Sequence, residues 1–163
     1  MRRTLRIRRL LQGRRGITES YRAEWHGRGV LEQRVSVRVD RYRNRAELEC
    51  AILKRDDDLE WRAAQTSTRP LTQAEWEQFS SKVEAGFWHL LTRDRAAAIM
   101  DGDSWFIEGY RRGIPPSLEY CRGGTYHSVS RSTGNRMVGT GTEIYALGMW
   151  MAERAGCGDL KIS

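Results

Sequence analysis

The sequence predicts a single α+β domain, built on a mainly antiparallel sheet of about five or six strands with two main helices packed on one face. Alternating apolar and polar residues mark several short segments as half-buried strands. Two other segments space their apolar residues three or four positions apart behind helix-capping residues, which indicates amphipathic helices. The chain has 163 residues, enough for one core. We assign residues 16–163 to this domain and residues 1–15 to a basic N-terminal arm.

The strongest strand signal is the alternation of valines with polar residues over positions 35–39. A tight turn is predicted at residues 43–44, and a second alternating segment covers residues 46–52. Because a short turn joins antiparallel neighbours, the two segments should pair as a hairpin. Residues 21–25 and 59–68 predict further strands.

Capping residues define both predicted helices. Thr72 and Glu75 fit a capping box, in which each side chain binds a backbone N–H of the first turn. Gly86 is the expected residue just beyond the end of this helix. A second box beginning at Thr140 opens the other helix, and Gly156 is expected to end it.

The net charge of +7 comes from the N-terminal arm. Its arginines are Arg2, Arg3, Arg6, Arg8, Arg9, Arg14 and Arg15. Without them the chain has as many basic residues as its 21 acids. Such an arm can attract nucleic acid or an anionic membrane, but it can equally be a solvated arm or an extra edge strand.

Cysteine and histidine usage indicates a reducing compartment and no metal. Cys50, Cys121 and Cys157 are odd in number and have no CxxC spacing, which argues against a disulfide framework. Cys50 is expected to be a small buried hydrophobe. The three histidines add no metal-ligand spacing. We therefore expect a cytoplasmic protein without metal or cofactor, and the preference for arginine over lysine points to a bacterial source.

No segment approaches the roughly 20 apolar residues that a membrane-spanning helix needs. A secretory signal is not expected either, because the apolar run near the N-terminus is too short. The sequence therefore predicts no membrane span.

The stretch from Asp101 to Arg131 holds the candidate polar cluster. Two alternating segments flank a long connection, which predicts two antiparallel strands. The cluster comprises Asp101, Glu108, Tyr126, His127 and Arg131. If Glu108 and Arg131 point to the same side, they can form a bidentate pair beside His127. This grouping would act as an acid/base or anion-binding site, or else as a cross-strand ion pair that covers the sheet.

The long connection, residues 113–124, is the candidate partner-binding loop. Leu118, Tyr120 and Arg122 alternate with polar neighbours between a Pro–Pro pair and a Gly–Gly pair. Tyrosine and arginine are favoured interface anchors because they bury a large area and keep a polar group. The alternative is that Leu118 and Tyr120 fold back onto the domain.

The motifs GFW, DGxxWxxEG and YHxxxR lie between residues 71 and 155. In this spacing the chain resembles a widespread uncharacterised family of small bacterial proteins. The resemblance implies an α+β fold and no established activity. The expanded loop with Pro115–Pro116 and the segment after Arg131 depart from the pattern.

Three classes of function remain open from the sequence. The first is a non-catalytic protein-binding domain, with an immunity protein that neutralises a toxin as the specific hypothesis; small single domains with few motifs fit this role by association. The second is a nucleic-acid-binding protein that uses the basic arm. The third is an enzyme that uses Glu108, His127 and Arg131.

Overall fold

A computed structural model of the chain describes residues 14–26, 33–55, 61–90, 103–112, 120–121, 124–133 and 141–156. The strands are β1 (Ile17–His26), β2 (Gln33–Tyr42), β3 (Ala46–Arg55), β4 (Trp61–Leu71), β5 (Asp103–Arg111), β6 (Tyr120–Cys121) and β7 (Gly124–Thr133). The helices are α1 (Gln73–Gly86) and α2 (Gly141–Ala155). This composition confirms the predicted α+β class.

All the strands form one antiparallel sheet in the order β4-β3-β2-β1-β5-β7-β6. Six of these strands are long, and β6 adds only two residues at one edge. The first four strands form a meander, as the alternating pattern predicts. After α1 the chain returns as β5 on the other side of β1, so the β5–β7 pair lies beside the middle of the sheet.

The core fills the space between the two helices and one face of the sheet, which we call the helix face. Val35, Val37 and Val39 are fully buried there, so the predicted alternation has its apolar side toward the helices. From α1 and α2, residues such as Phe79 and Met151 close the core over the strands. Burying this many apolar side chains is the main force that holds helices on a sheet.

Close approach of α2 to the sheet depends on a glycine. A Cβ atom at Gly148 would lie 2.5 Å from the buried indole ring of Trp105 in β5. No real contact is that short, so the missing side chain is what lets the helix lie directly on the ring. Gly109 likewise lets the rings of Tyr21 and Phe87 pack directly on β5, since both rings would lie within 2.8 Å of a Cβ atom at position 109.

The predicted helix ends are partly right. Thr72 and Glu75 form the capping box that the sequence indicates, with both reciprocal hydrogen bonds present. Gly156 has a φ of +59° and follows the last residue of α2, as expected of a glycine stop. The prediction for Gly86 is wrong: it is the last residue of α1, and Phe87 caps the helix with helical dihedral angles. Thr140 lies outside the described residues.

Cys50 corrects the cysteine prediction. Its side chain is buried in the core, as expected, but its sulfur is part of a disulfide bond. Cysteine spacing in the sequence does not report pairing between segments that only the fold brings together. The expectation of free thiols is therefore wrong for Cys50.

Across the described portion of the chain, neither helix is long and apolar enough to cross a membrane.

Candidate functional site

The face of the sheet opposite the helices, which we call the polar face, carries most of the buried polar groups. Ser20, Asp40, Glu108 and Ser128 lie on this face and are each less than 9% exposed. Buried polar groups of this kind are stable only when they have partners. The arrangement of those partners therefore defines the site.

Register divides the predicted polar cluster between the two faces. Glu108 pairs with Ser128, whereas His127 and Arg131 pair with Gly109 and Trp105. Directly paired residues of an antiparallel sheet project to the same side, and adjacent residues project to opposite sides. Glu108 therefore points to the polar face, and His127 and Arg131 point to the helix face. The predicted pair between Glu108 and Arg131 does not exist.

Glu108 is the centre of one group on the polar face. The hydroxyl of Tyr126 donates a hydrogen bond of 2.6 Å to its Oε2 atom. Its Oε1 atom forms an ion pair with the guanidinium of Arg22, which lies opposite it on β1. The same arginine also approaches Glu24, at 3.5 Å. Of the predicted cluster, Glu108 and Tyr126 are thus brought together, with Arg22 as the cation.

Asp40 is the centre of a second group. Ser20 donates a hydrogen bond of 2.6 Å to its Oδ1 atom, and Arg38 approaches both carboxylate oxygens at 2.9 Å. Arg14 pairs with Oδ2 at 2.9 Å and also with Glu49. The buried carboxylate of Asp40 therefore has two guanidinium partners and one hydroxyl donor.

Arg14 connects the predicted basic arm to this group. Burial opposes its charged form, but the hydrogen bond to Glu49 and the negative charge of Asp40 outweigh burial and raise the pKa of the guanidinium. One arginine of the arm is therefore committed to the domain. Among the other arginines of the arm, Arg15 is exposed, and the remaining five lie outside the described residues.

A row of mostly small or apolar residues, with the charged Glu24 among them, crosses the polar face beside these ion pairs; we call it the Phe106 row. Its members, from β4 to β7, are Thr66, Ala51, Ser36, Glu24, Phe106 and Ser130. The side chains of Ala51, Ser36 and Phe106 are half-buried. On one side the row borders Arg22 and Arg38. On the other side lies Arg34, whose guanidinium is 4.2 Å from the ring centre of Trp61.

His127 and Arg131 are part of the core side of the sheet. The His127 ring lies 5.0 Å from the ring of Phe87 and 6.1 Å from that of Trp88. One Arg131 nitrogen donates to the carbonyl oxygen of Ser130 at 2.8 Å. Both side chains are less than 9% exposed, so they line no surface.

A second polar cluster closes the helix face near the start of β1. The buried hydroxyl of Tyr21 donates to Glu19 and accepts from Arg111. Burial is the main cause that raises the pKa of this phenol, and the negative charge of Glu19 adds to it. Arg111 also pairs with Glu84 of α1, so the cluster fastens this helix to the sheet.

Several predicted site residues lie outside what the structure describes. These are Asp101, Leu118 and Arg122, and the same holds for the side chain of Tyr120. The hypothesis of a partner-binding loop over residues 113–124 therefore stays a prediction. In residues 14–156, leaving aside the gaps named above, no group of three or more His, Cys, Asp or Glu side chains is arranged to hold a metal ion.

The chemistry of the polar face follows from these contacts. Every oxygen of the Asp40 and Glu108 carboxylates contacts a guanidinium or a hydroxyl. Carboxylates held in this way fix the geometry of their neighbours and do not offer a free oxygen to a reacting group. The two carboxylates therefore hold the surrounding arginines and hydroxyl groups in place.

Asp40, Arg38 and Ser20 are absent from the predicted cluster. Asp40 follows the valine alternation on its polar side, where a charged residue ordinarily means a solvated surface. The sequence did contain one sign of this group. Arg38 and Asp40 are two positions apart, and residues at that spacing lie on the same face of a strand.

Comparisons with protein-family models, with curated proteins and with solved structures return no match for this chain. The family resemblance given above stays a prediction.

Proposed function

We propose that the chain is a non-catalytic protein-binding domain and that its polar face is the docking surface. The carrying observation is the Phe106 row, a mostly uncharged row whose middle residues are half-buried and which has arginines on both sides. Protein interfaces commonly combine an apolar centre with a polar, charged rim, and arginine and aromatic residues are enriched in them.

The ion pairs beside the row support this role because they hold the rim rigid. Arg22 and Arg38 each pair with a buried carboxylate, so their guanidinium positions are fixed before a partner arrives. A surface that is ordered in advance loses less conformational entropy on binding. Arginines anchored by buried acids also give a fixed charge pattern, which favours specificity.

The partner that fits this surface is a folded protein with a small apolar projection flanked by acidic groups. The projection would contact Ala51, Ser36 and Phe106, and the acids would meet the outer edges of Arg22 and Arg38. Within this class the specific role we propose is that of an immunity protein, which neutralises a toxin by covering its active surface.

The division of Glu108 from His127 and Arg131 counts against the enzyme hypothesis, because the three side chains do not share a site. Against the nucleic-acid hypothesis, one arginine of the arm, Arg14, is already paired with Asp40. The cytoplasm remains our proposed location, and bacteria our proposed source. In the cytoplasm, disulfides are usually transient or redox-responsive.

Growth assays in a bacterial host test the immunity role. The product of the gene next to the one encoding this chain is expressed from an inducible promoter, with and without this protein. We expect growth arrest by the neighbouring product alone and rescue when both are present. A toxic neighbour whose effect this chain does not relieve would overturn the immunity role.

The affinity for nucleic acid tests the alternative function, in which the basic arm binds nucleic acid. Affinity that falls steeply with salt is the signature of phosphate contacts. We expect only weak, nonspecific binding to duplex DNA at physiological salt. Submicromolar, sequence-selective binding would instead favour the basic arm as the functional element.

A further inference from the structure

Strand β4 forms one edge of the sheet, and among the described strands only β3 pairs with it. Residues 62–68 are all exposed, on both faces of the strand, so the helices do not bury them. Residues 63–68 carry no charge. An exposed, uncharged edge strand is a template for pairing with another strand, because the sheet does not use the backbone groups on its outer side.

The turn between β2 and β3 shows which backbone groups of β3 bond to β4. The N–H of Tyr42 donates to the carbonyl oxygen of Arg45 at 2.8 Å, so these two residues form a hydrogen-bonded pair. Hydrogen-bonded and non-hydrogen-bonded pairs alternate along an antiparallel ladder, and the register of β2 and β3 continues from this turn without a shift. Glu49 therefore bonds to β2, and Leu48 bonds to β4.

The same alternation identifies the outer groups of β4. Leu48 pairs with Arg69, so the backbone groups of Arg69 bond to β3. Thr68 and Thr66 are an odd number of positions from Arg69, so their N–H and C=O groups point away from the sheet. Pro70 points outward as well. An edge strand tolerates proline in that orientation, because no ladder hydrogen bond is lost.

Two features end the open part of β4 at equal distances from Ser67. Pro70 lies three residues after Ser67 and has no N–H to donate. Ala64 lies three residues before it, and the register with β3 skips this residue, which makes it the extra residue of a β-bulge. The segment available for pairing is therefore 65–69, with Ser67 at its centre. Such a segment suits a second copy of itself, because a two-fold axis makes both ends of the new ladder coincide.

We infer that two copies of this chain pair through β4, antiparallel, about a two-fold axis that passes between their Ser67 residues. Thr66 of each copy lies opposite Thr68 of the other, and each such pair exchanges both of its backbone hydrogen bonds. The two Ser67 residues form a close non-hydrogen-bonded pair, for which their small side chains leave room. The axis is perpendicular to the sheet, so both polar faces lie on one side and stay open. The pairing is thus independent of the proposed docking surface.

Neighbouring registers are excluded by the backbone. A shift by two residues in one direction places Thr66 opposite Pro70, which has no donor. The opposite shift places Thr68 opposite Ala64, where the bulge interrupts the ladder. A shift by one residue sets Thr66 against Arg69, whose backbone groups already bond to β3.

The charges of the paired segments are compatible with this register. Arg69 lies opposite Gln65 of the second copy, so no two arginines face each other across the new ladder. The guanidinium of Arg69 is also neutralised within its own chain, since it pairs with Glu75 at 2.8 Å. Like charges directly opposite each other would destabilise the pairing, and here they are absent from segment 65–69.

Sedimentation equilibrium of the full-length protein tests for the dimer. The pairing is short, and small interfaces belong to transient complexes, so we expect a dissociation constant on the order of 10–100 μM. The average mass should rise from that of the monomer toward twice that value as the concentration increases. A mass that stays that of the monomer up to about 500 μM would overturn the inference.

Variants of β4 test whether this edge is the interface. Thr66→Pro removes an outward donor and leaves the bonds to β3 intact, so it should be monomeric and melt within a few degrees of the wild type. Ser67→Lys sets two lysines opposite each other on the axis and should weaken dimerisation at least about tenfold. Ala63→Lys, the control, places the same charge on β4 beyond the bulge and should dimerise like the wild type. Full dimerisation of Ser67→Lys, or its loss in Ala63→Lys, would contradict the pairing.

Amide hydrogen exchange followed by NMR locates the interface residue by residue. In dilute protein the amides of Thr66 and Thr68 should exchange quickly, because they point away from β3. In concentrated protein they should exchange at least about tenfold more slowly. The amides of Gln65 and Ser67 bond to β3 and should be protected at both concentrations. A dimer in which Thr66 and Thr68 stay unprotected would place the interface elsewhere and refute the pairing through β4.

Discussion

Double-mutant cycles test whether the predicted polar cluster is divided between the two faces of the sheet, with Glu108 on the polar face and Arg131 on the helix face. Glu108→Gln removes the charge that pairs with Arg22 but keeps an oxygen that can accept from Tyr126. Breaking a fully buried ion pair costs about 3–5 kcal/mol. The Arg22 side chain is 31% exposed and also approaches Glu24, so water and a second carboxylate compensate part of the loss. We therefore expect a loss of about 2 kcal/mol in the free energy of unfolding.

Tyr126→Phe removes the hydrogen bond to the same carboxylate and should cost about 2 kcal/mol, since the acceptor is charged. Because Glu108 and Tyr126 are in contact, the double variant should show a coupling energy of about 1 kcal/mol. Arg131→Met on the helix face is the control. It should destabilise the protein but couple to Glu108→Gln by less than about 0.5 kcal/mol.

Urea denaturation followed by tryptophan fluorescence and far-ultraviolet circular dichroism measures all these free energies. Equal slopes of the unfolding free energy against urea across the variants would show that the denatured states are comparable. A coupling between Glu108 and Arg131 as large as that between Glu108 and Tyr126 would refute the division of the cluster.

Two further predictions concern the helices. Gly148→Ala should destabilise the protein by about 1–3 kcal/mol despite alanine's higher helix propensity, because the new methyl group collides with the Trp105 ring; a neutral or stabilising result in urea denaturation would contradict the packing of α2. For α1, the hydrogen bond from Arg69 and that from the backbone of Thr72 lower the pKa of Glu75 from 4.5 to about 2. The stability that this carboxylate contributes should therefore be complete above pH 4.5 and be lost as the pH falls toward 2. Glu75→Gln should remove that part of the pH dependence. If the free energy of unfolding of the variant depends on acid pH as that of the wild type does, the contribution is excluded.

The sheet and helices could be predicted because each depends on local patterns. The valine alternation fixed the buried side of β2, and the box at Thr72 fixed the start of α1. Gly86 shows the limit of such patterns: the chain continues directly into buried Phe87 and Trp88, and their packing extends the helix through the glycine. Tertiary contacts outweigh the local preference there.

The candidate site could be predicted only in part because it depends on register. Glu108 and Arg131 belong to strands joined by a long connection, and a shift of one residue would exchange the faces of every side chain. No turn residue in the sequence sets that shift. Nor does any local pattern show that Cys50 is disulfide-bonded or that Asp40 pairs with Arg14. These contacts join segments far apart in the chain.

The proposed docking surface is tested most directly by the affinity of two arginine variants for the neighbouring gene product. Ser36→Arg places a large charged side chain within the Phe106 row, whereas Ala74→Arg places the same side chain on the exposed surface of α1. Isothermal titration calorimetry should show that Ser36→Arg weakens binding at least tenfold relative to the wild type, because the row can no longer seat an apolar projection. Ala74→Arg should bind like the wild type, and both variants should match its melting temperature within a few degrees. Undiminished binding by Ser36→Arg, or an equal loss in Ala74→Arg, would contradict a docking surface on the polar face.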